Sequence, residues 1–212
     1  MQIIETIDWD YHFDQLAEND FTIVDNFLPQ EVYTNIKSLF IDAIEEEQLT
    51  KAGIGTLSKY QIRENIRGDE IMWLNRNDCN EEIATFFSII ETFIPTVNRS
   101  LYTAIKDYEF HLAHYPAGGF YKKHLDQFKE RNNRILSVIV YMNDNWQEGD
   151  GGELKIYKSE DPDDFELVAP IGNRLAIFRS DSVWHEVLTA NKSRKSLTGW
   201  LLKQPQGLGF LG

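Results

Sequence analysis

From Tyr108 onward the chain is cut by turn residues into short apolar or aromatic runs, and no other feature limits its fold so sharply. The runs are Tyr108–Tyr115, Phe120–Leu125, Arg134–Met142, Glu153–Tyr157, Phe165–Ala169, Arg174–Arg179, Trp184–Leu188 and Ser196–Lys203. Each is rich in β-branched or aromatic side chains, which suit a pleated and half-buried surface. Gly151-Gly152, Asp161-Pro162 and the tight-turn candidate Pro170-Ile171-Gly172-Asn173 fall between them, where Gly, Pro, Asn and Asp supply the backbone angles of turns. Eight short strands in this pattern predict an antiparallel barrel or jelly roll.

The first half reads differently. Phe21–Asn26 alternates like a short strand and Leu28-Pro29 breaks it. Gln30 to about Leu49 has helical spacing, with Val32, Ile36, Leu39, Phe40, Ala43 and Ile44 on one side. Lys51–Asn65 is polar and contains glycine, which predicts a loop. A second helix is expected from about Glu81 to Ser100, on the recurrence of Ile83, Phe86, Phe87, Ile90, Phe93 and Ile94. Pro95 lacks an N–H and should kink or end its first part. The expectation is a mainly β, α+β chain forming a single domain over 1–212, with a helical N-terminal part (1–105) packed on a β core (106–204) whose mouth can hold a site.

Charge narrows the partners. Lys and Arg total 21 against 34 Asp and Glu, for a net charge of −13. Such a surface repels phosphate backbones and anionic lipid, so neither nucleic acid nor membrane is expected as a partner. No apolar run approaches the roughly 18 residues of a membrane span. Met1–Thr6 lacks the basic start and apolar stretch of a signal peptide. The single cysteine, Cys79, excludes an internal disulfide and a thiolate-rich metal site. A cytoplasmic protein acting on a protein or small molecule is the expectation.

His124-Leu125-Asp126 lies near the end of a predicted strand, where residues i and i+2 share a face and can converge on one point. A later strand offers His185. Two imidazoles and a carboxylate suit a borderline divalent metal, and with three coordination positions open they are the ligand set of non-haem iron(II) oxygenases. A chelating co-substrate and dioxygen would take the open positions. By itself His-x-Asp arises by chance in roughly one such chain in three, and an isolated histidine is more often packed or exposed than a ligand. Arg194 follows His185 by nine residues, enough for a strand to end, turn and return beside it. Buried, its guanidinium would hold the distal carboxylate of a dicarboxylate through a bidentate pair; the other reading is a solvated hairpin residue beside Lys192 and Lys195. Arg194, Ser196, Thr198 and Trp200 alternate on one face. Tyr141, ending the Leu136–Tyr141 run, could add its hydroxyl to the same carboxylate.

The stretch Tyr115-Pro116-Ala117-Gly118-Gly119-Phe120-Tyr121-Lys122-Lys123-His124-Leu125-Asp126 resembles the metal-binding segment of the prolyl hydroxylase branch of the 2-oxoglutarate oxygenases. Val140-Tyr141-Met142-Asn143, Gly151-Gly152-Glu153-Leu154 and Leu175-Ala176-Ile177-Phe178 followed by His185 continue the likeness in order. Upstream, Ile66-Arg67-Gly68-Asp69-Glu70-Ile71-Met72-Trp73 resembles a segment of the hypoxia-inducible-factor prolyl hydroxylases and their bacterial relatives. The resemblance implies a double-stranded β-helix (jelly roll, cupin-like) flanked by N-terminal helices. It implies iron(II) at His124, Asp126 and His185, and 2-oxoglutarate at Arg194 and Tyr141 with Thr198 nearby. Tyr115, Tyr121 and Trp200 match positions around the co-substrate and the target residue, with Tyr121 and Trp200 on the substrate side. Arg67 and Asp69 match positions that order the loop after the metal-binding strand, and Arg134 stands where the partner of that aspartate would be.

The implied activity is hydroxylation of a prolyl residue on an intracellular protein, with dioxygen as oxidant and ascorbate as reductant. The same chemistry on a free amino acid, another residue, a small metabolite or a nucleobase stays open, as does a cupin-like binding or sensor protein without turnover. Two departures border the substrate entrance: a glycine-rich stretch one residue shorter than in the animal enzymes, and a different loop at Gln127–Asn133. Other signals carry less. His111 and His114, three apart on a strand, face opposite sides. Gly207–Gly212 fits G-x-G-x-x-G with no helix to follow it. Asp161–Asp164 lacks the glycine and terminal glutamate of a calcium loop and reads as a solvated turn, and Ser182 reads as a loop neighbour of His185.

Overall fold

A computed structural model describes residues 7–53, 65–77, 79–127 and 132–203. Its first element, α1 (Trp9–Asn19), is capped by the Asp8 carboxylate, which accepts from the Tyr11 N–H. Trp9, Phe13 and Leu16 recur at intervals of four and three and are buried, so the helix closes one flank of the core. After β1 (Phe21–Val24), α2 (Gln30–Glu45) buries Tyr33, Ile36, Phe40 and Ala43. It stops short of the expected Leu49, because Glu47 turns the backbone to φ 54°. β2 (Thr50–Lys51) and β3 (Glu70–Trp73) follow; of the expected 51–65 loop, residues 54–64 lie outside the described residues.

Helix α3 (Glu81–Leu101) continues through Pro95. The expected interruption is absent because Pro95 and Glu91, whose carbonyl loses its N–H partner, are both on the exposed side, while Phe93 and Val97 anchor the buried side. Asn80 caps the start by accepting from the Ile83 N–H at 3.2 Å.

All eight runs after Ile105 are strands: β4 (Asp107–Tyr115), β5 (Tyr121–His124), β6 (Arg134–Tyr141), β7 (Leu154–Tyr157), β8 (Phe165–Val168), β9 (Leu175–Arg179), β10 (His185–Val187) and β11 (Arg194–Leu202). Two antiparallel sheets result, ordered β1-β9-β6-β11-β4-β3-β2 and β5-β10-β7-β8. Alternation along each strand sorts side chains between two cores. Phe110, Leu112, Val138, Val140, Leu197 and Leu201 face outward onto Ile36, Phe40, Phe86 and Phe93 of the helices. Ala113, Tyr115, Ile139, Tyr141, Ala176 and Phe178 face inward toward Leu154, Ile156 and Val187 of the smaller sheet. Each large apolar side chain buried in this way contributes about 2 kcal/mol. The fold is a double-stranded β-helix with helices on its larger sheet.

The N-terminal region supplies more than helices. β1 pairs with β9 and β3 pairs with β4, so both borders of the larger sheet come from residues before 105. The predicted turn at Pro170–Asn173 also ties the layers together. The Asn173 side chain accepts from the Leu28 N–H and donates to the Leu28 carbonyl, each at 2.8 Å. Among the described residues no helix is long and apolar enough to cross a membrane.

Candidate active site

Strands β5 and β10 are antiparallel neighbours, and their register sets His185 directly opposite His124. The two imidazole centroids are 4.3 Å apart. β5 ends at His124, so Asp126 reaches the same point from the bend beyond the strand rather than from the pleat the sequence suggested. Its Oδ1 lies 3.5 Å from His124 Nε2 and 3.7 Å from His185 Nε2. One ligand atom from each residue falls within 4.8 Å of the others, which makes this a cluster that could hold a metal.

Hydrogen bonding sets the tautomers. His124 Nδ1 is 2.7 Å from the Lys122 carbonyl, and His185 Nδ1 is 3.1 Å from the Val183 carbonyl. A carbonyl only accepts, so each Nδ1 carries the proton and each Nε2 lone pair points at the shared centre. Burial, with the neighbouring His124 adding to it, pushes the His185 imidazole down to about 4. Burial works to raise the Asp126 carboxyl, but His185, His124 and Arg134 outweigh it and hold it well below the usual carboxylate range. At neutral pH the His185 imidazole is therefore neutral and the Asp126 carboxylate ionised, and two imidazoles with one carboxylate are a donor set suited to iron(II).

Arg194 opens β11 on the inner face and is 3% exposed, which rules out the solvated hairpin reading. Nε donates to the Gly152 carbonyl at 3.1 Å and Nη1 to Ser196 Oγ at 3.0 Å, with Thr198 Oγ1 a further 3.0 Å from that hydroxyl. The guanidinium carbon lies 4.7 Å from the Tyr115 ring centre and 5.1 Å from that of Tyr141. Two buried polar atoms are left over: Arg194 Nη2 and Tyr141 Oη have no hydrogen-bond partner among the described residues. Burial pushes the Tyr141 hydroxyl up, with Arg194 acting the other way, so it stays a donor. An unmet buried polar group costs about 1–3 kcal/mol. Two of them beside one cation are what a carboxylate would satisfy, and the residues fit 2-oxoglutarate.

The arginine has a shaped seat. Gly152 sits at φ +76°, and a Cβ there would meet Arg194 Cγ at 3.2 Å and Ala190 Cβ at 3.4 Å. Gly152→Ala strains the turn and pushes on the guanidinium stem. We expect the KM for 2-oxoglutarate to rise about tenfold, a displacement of about 1.4 kcal/mol, with metal affinity unchanged; steady-state kinetics with varied 2-oxoglutarate checks this.

The remaining expected residues divide. Tyr121 packs onto the cluster of His124, Asp126 and His185: its ring lies 3.6 Å from the His124 ring, nearly parallel, with the Arg67 guanidinium 4.3 Å from its centroid. Arg67 is in turn gripped by both oxygens of Asp69, at 2.7 and 2.5 Å. Asp69 is therefore the partner of Arg67, and the expected pairing with Arg134 is not made. The geometry gives the reason, since Arg134 is engaged with Glu109 (3.0 and 2.7 Å) and the Asp126 carbonyl (3.0 Å). Arg134 also lies 3.3 Å over the Trp200 ring, which stacks on His111. His111 contacts Trp73 too, and Trp73 is half exposed, so an aromatic wall runs outward from Trp200. His114 faces the other way, toward Ser193 and Glu70, and shares no ligand site with His111. Loop residues 128–131 and the Gly207–Gly212 stretch lie outside the described residues.

Two residues near the cluster went unnoticed in the sequence, Ser137 and Ser180. Ser137 shares the parity of Ile139 and Tyr141 in an otherwise apolar run, which was the available signal.

Residues 110–202 match the model of the 2OG-Fe(II) oxygenase superfamily. The chain is 30% identical over 211 residues to prolyl hydroxylase EGLN3 of Mus musculus, covering 93% of this chain and 84% of that one. It is 29% identical over 205 residues to a hypoxia-inducible factor prolyl hydroxylase of Caenorhabditis elegans, of whose length it spans 28%. In three dimensions it is similar to a prolyl hydroxylase from Trichoplax adhaerens, solved in complex with a hypoxia inducible factor oxygen degradation domain peptide fragment. There the TM-score is 0.83 and the identity 27%, over 95% of this chain and 92% of that one. Likeness that runs nearly end to end in both sequence and fold places the protein in the prolyl hydroxylase branch of the iron(II)- and 2-oxoglutarate-dependent oxygenases.

Proposed function

We propose that the protein hydroxylates a prolyl residue of an intracellular protein, using iron(II), 2-oxoglutarate and dioxygen, with ascorbate as reductant. The observation that carries this reading is the pair of unmet donors, Arg194 Nη2 and Tyr141 Oη, buried in the barrel that also holds the His124, Asp126 and His185 cluster. In this reading His124, Asp126 and His185 hold the iron. Arg194 and Tyr141 grip the far carboxylate of 2-oxoglutarate, Thr198 braces Ser196 beside it, and Tyr115 walls the same space. Tyr121 steadies His124 from its open face and lines the entrance, and Trp200 offers an apolar surface to the target residue.

Bound iron(II) and 2-oxoglutarate supply the oxidation: one atom of dioxygen enters a C–H bond and the other goes to succinate as carbon dioxide leaves. The protein supplies two imidazoles, an ionised carboxylate, a cationic clamp and apolar walls that keep water out. The relatives named prolyl hydroxylase support proline as the target, and the peptide held by the Trichoplax enzyme supports a polypeptide substrate. The net charge of −13 weighs against a nucleobase in a phosphate-bearing strand. With one cysteine and no internal disulfide, the chain suits a reducing cytoplasm.

The test is to incubate purified protein with iron(II), ascorbate, 2-oxoglutarate and peptides from a cell extract. Succinate should form, and mass spectrometry should find one added oxygen on a proline. Oxygen appearing only on a free amino acid or metabolite would move the substrate assignment. Tight metal binding with no 2-oxoglutarate consumption would replace the enzyme by a cupin-like binding protein.

A further inference from the structure

A carboxylate that gives one oxygen to a metal must place the other, and the barrel interior makes that placement specific. Asp126 turns Oδ1 toward the two Nε2 atoms, while Oδ2 accepts from Ser137 Oγ at 2.6 Å. Ser137 Oγ is also 2.9 Å from Ser180 Oγ. Both serines are completely buried. The Ser137 hydroxyl donates to Asp126 and has a single hydrogen, so the Ser180 hydroxyl donates to Ser137. The chain runs one way, Ser180 to Ser137 to Asp126, and each bond polarises the next.

The backbone around Asp126 is pinned separately. The Gln127 N–H donates to the Ser180 carbonyl at 2.9 Å, the Ser180 N–H to the Ile135 carbonyl at 3.1 Å, and Arg134 Nη1 to the Asp126 carbonyl at 3.0 Å. Loss of a serine hydroxyl therefore leaves the loop in place and frees only the rotation of the carboxylate about its last bond. The hydroxyls come from β6 and from the residue after β9, both in the sheet facing the one that carries the histidines. One sheet presents the imidazoles and the other aims the carboxylate at them.

We propose that Ser137, oriented by Ser180, is the positioning residue that sets the angle of the Asp126 carboxylate, and with it metal affinity and single-oxygen ligation. This rests on the reading of His124, Asp126 and His185 as the metal site. With Ser137 in place, Oδ2 is occupied and turns away from the ion. Without it, the carboxylate can swing or offer both oxygens, and the ligand field changes.

The experiment is a cobalt(II) titration of the full chain, followed by visible absorption, for the parent and for Ser137→Ala, Ser180→Ala, Ser137→Thr and Asp126→Ala. Partners one step behind a ligand are worth about 10- to 100-fold in metal affinity. We expect Ser137→Ala to weaken cobalt binding by about that factor with a shifted absorption band. Ser180→Ala should weaken it by about threefold, since Ser137 keeps its hydroxyl but loses its orientation. Ser137→Thr, which keeps the hydroxyl, should match the parent. An affinity and spectrum unchanged in Ser137→Ala would overturn the proposal. If circular dichroism finds that variant unfolded, Ser180→Ala decides, and parent-like binding and absorption there overturn it. A parent that binds no cobalt, or an Asp126→Ala variant that binds as well as the parent, would instead sink the metal-site reading on which the proposal stands.

Discussion

Arg194→Ala should raise the 2-oxoglutarate concentration for half-maximal turnover by about two orders of magnitude. The guanidinium is buried, two of its nitrogens are spent on Gly152 and Ser196, and only Nη2 remains to meet a ligand beside Tyr141 Oη. Truncation leaves the bound carboxylate buried without its counter-charge. Losing one partner of a buried charged pair costs about 2–5 kcal/mol, and the lower half of that range corresponds to a hundredfold or so. Arg194→Lys should recover only part of the loss, because an ammonium on a flexible stem cannot bond Gly152 and Ser196 and still present a fixed donor. Metal binding should be untouched in both variants. A normal response to 2-oxoglutarate in Arg194→Ala would remove the clamp from the reaction.

The second large effect is at Asp126. Asp126→Ala should reduce succinate formation to background and weaken iron(II) binding by more than about a hundredfold, since a direct ligand outweighs the groups behind it. Asp126→Asn is the sharper variant. It keeps the shape and can still accept from Ser137, yet it removes the negative charge that the cluster is built around. If charge is what matters, Asn behaves like Ala in metal titration; an Asn variant that turns over normally would show that an amide oxygen suffices and the charge is dispensable.

Much of this was readable before any coordinates. The eight β runs were legible because they are short, rich in β-branched and aromatic residues, and ended by turn residues; only the borders moved, as where β11 begins at Arg194 instead of Ser196. The cluster was legible because His-x-Asp, a later histidine and an arginine nine residues beyond occur in an order few other sites share. Helix α1 escaped notice although Asp8 and the spacing of Trp9, Phe13 and Leu16 announce it, since eleven residues with many acids form a weak periodic signal. β3 is four residues long, and nothing local distinguishes it from a loop. The helix does not end at Pro95, because propensity ignores which side of a helix faces water. Pairing of charges was least legible of all. Asp69 prefers Arg67, two residues away, to Arg134, and that choice depends on Glu109 and Trp200 having already claimed Arg134.

The borders of the larger sheet deserve a practical reading. Its four inner strands, β9-β6-β11-β4, fall almost wholly within the stretch matched by the superfamily model, as does the smaller sheet, yet β1 covers one side of that block and β3 with β2 the other. A fragment trimmed to 110–202 would keep His124, Asp126, His185 and Arg194 while baring two rows of unsatisfied peptide groups. It would also strip α2 and α3 from a wide apolar face. Such a piece would glue to copies of itself before it could grip any substrate, so the matched stretch is not the smallest unit that works.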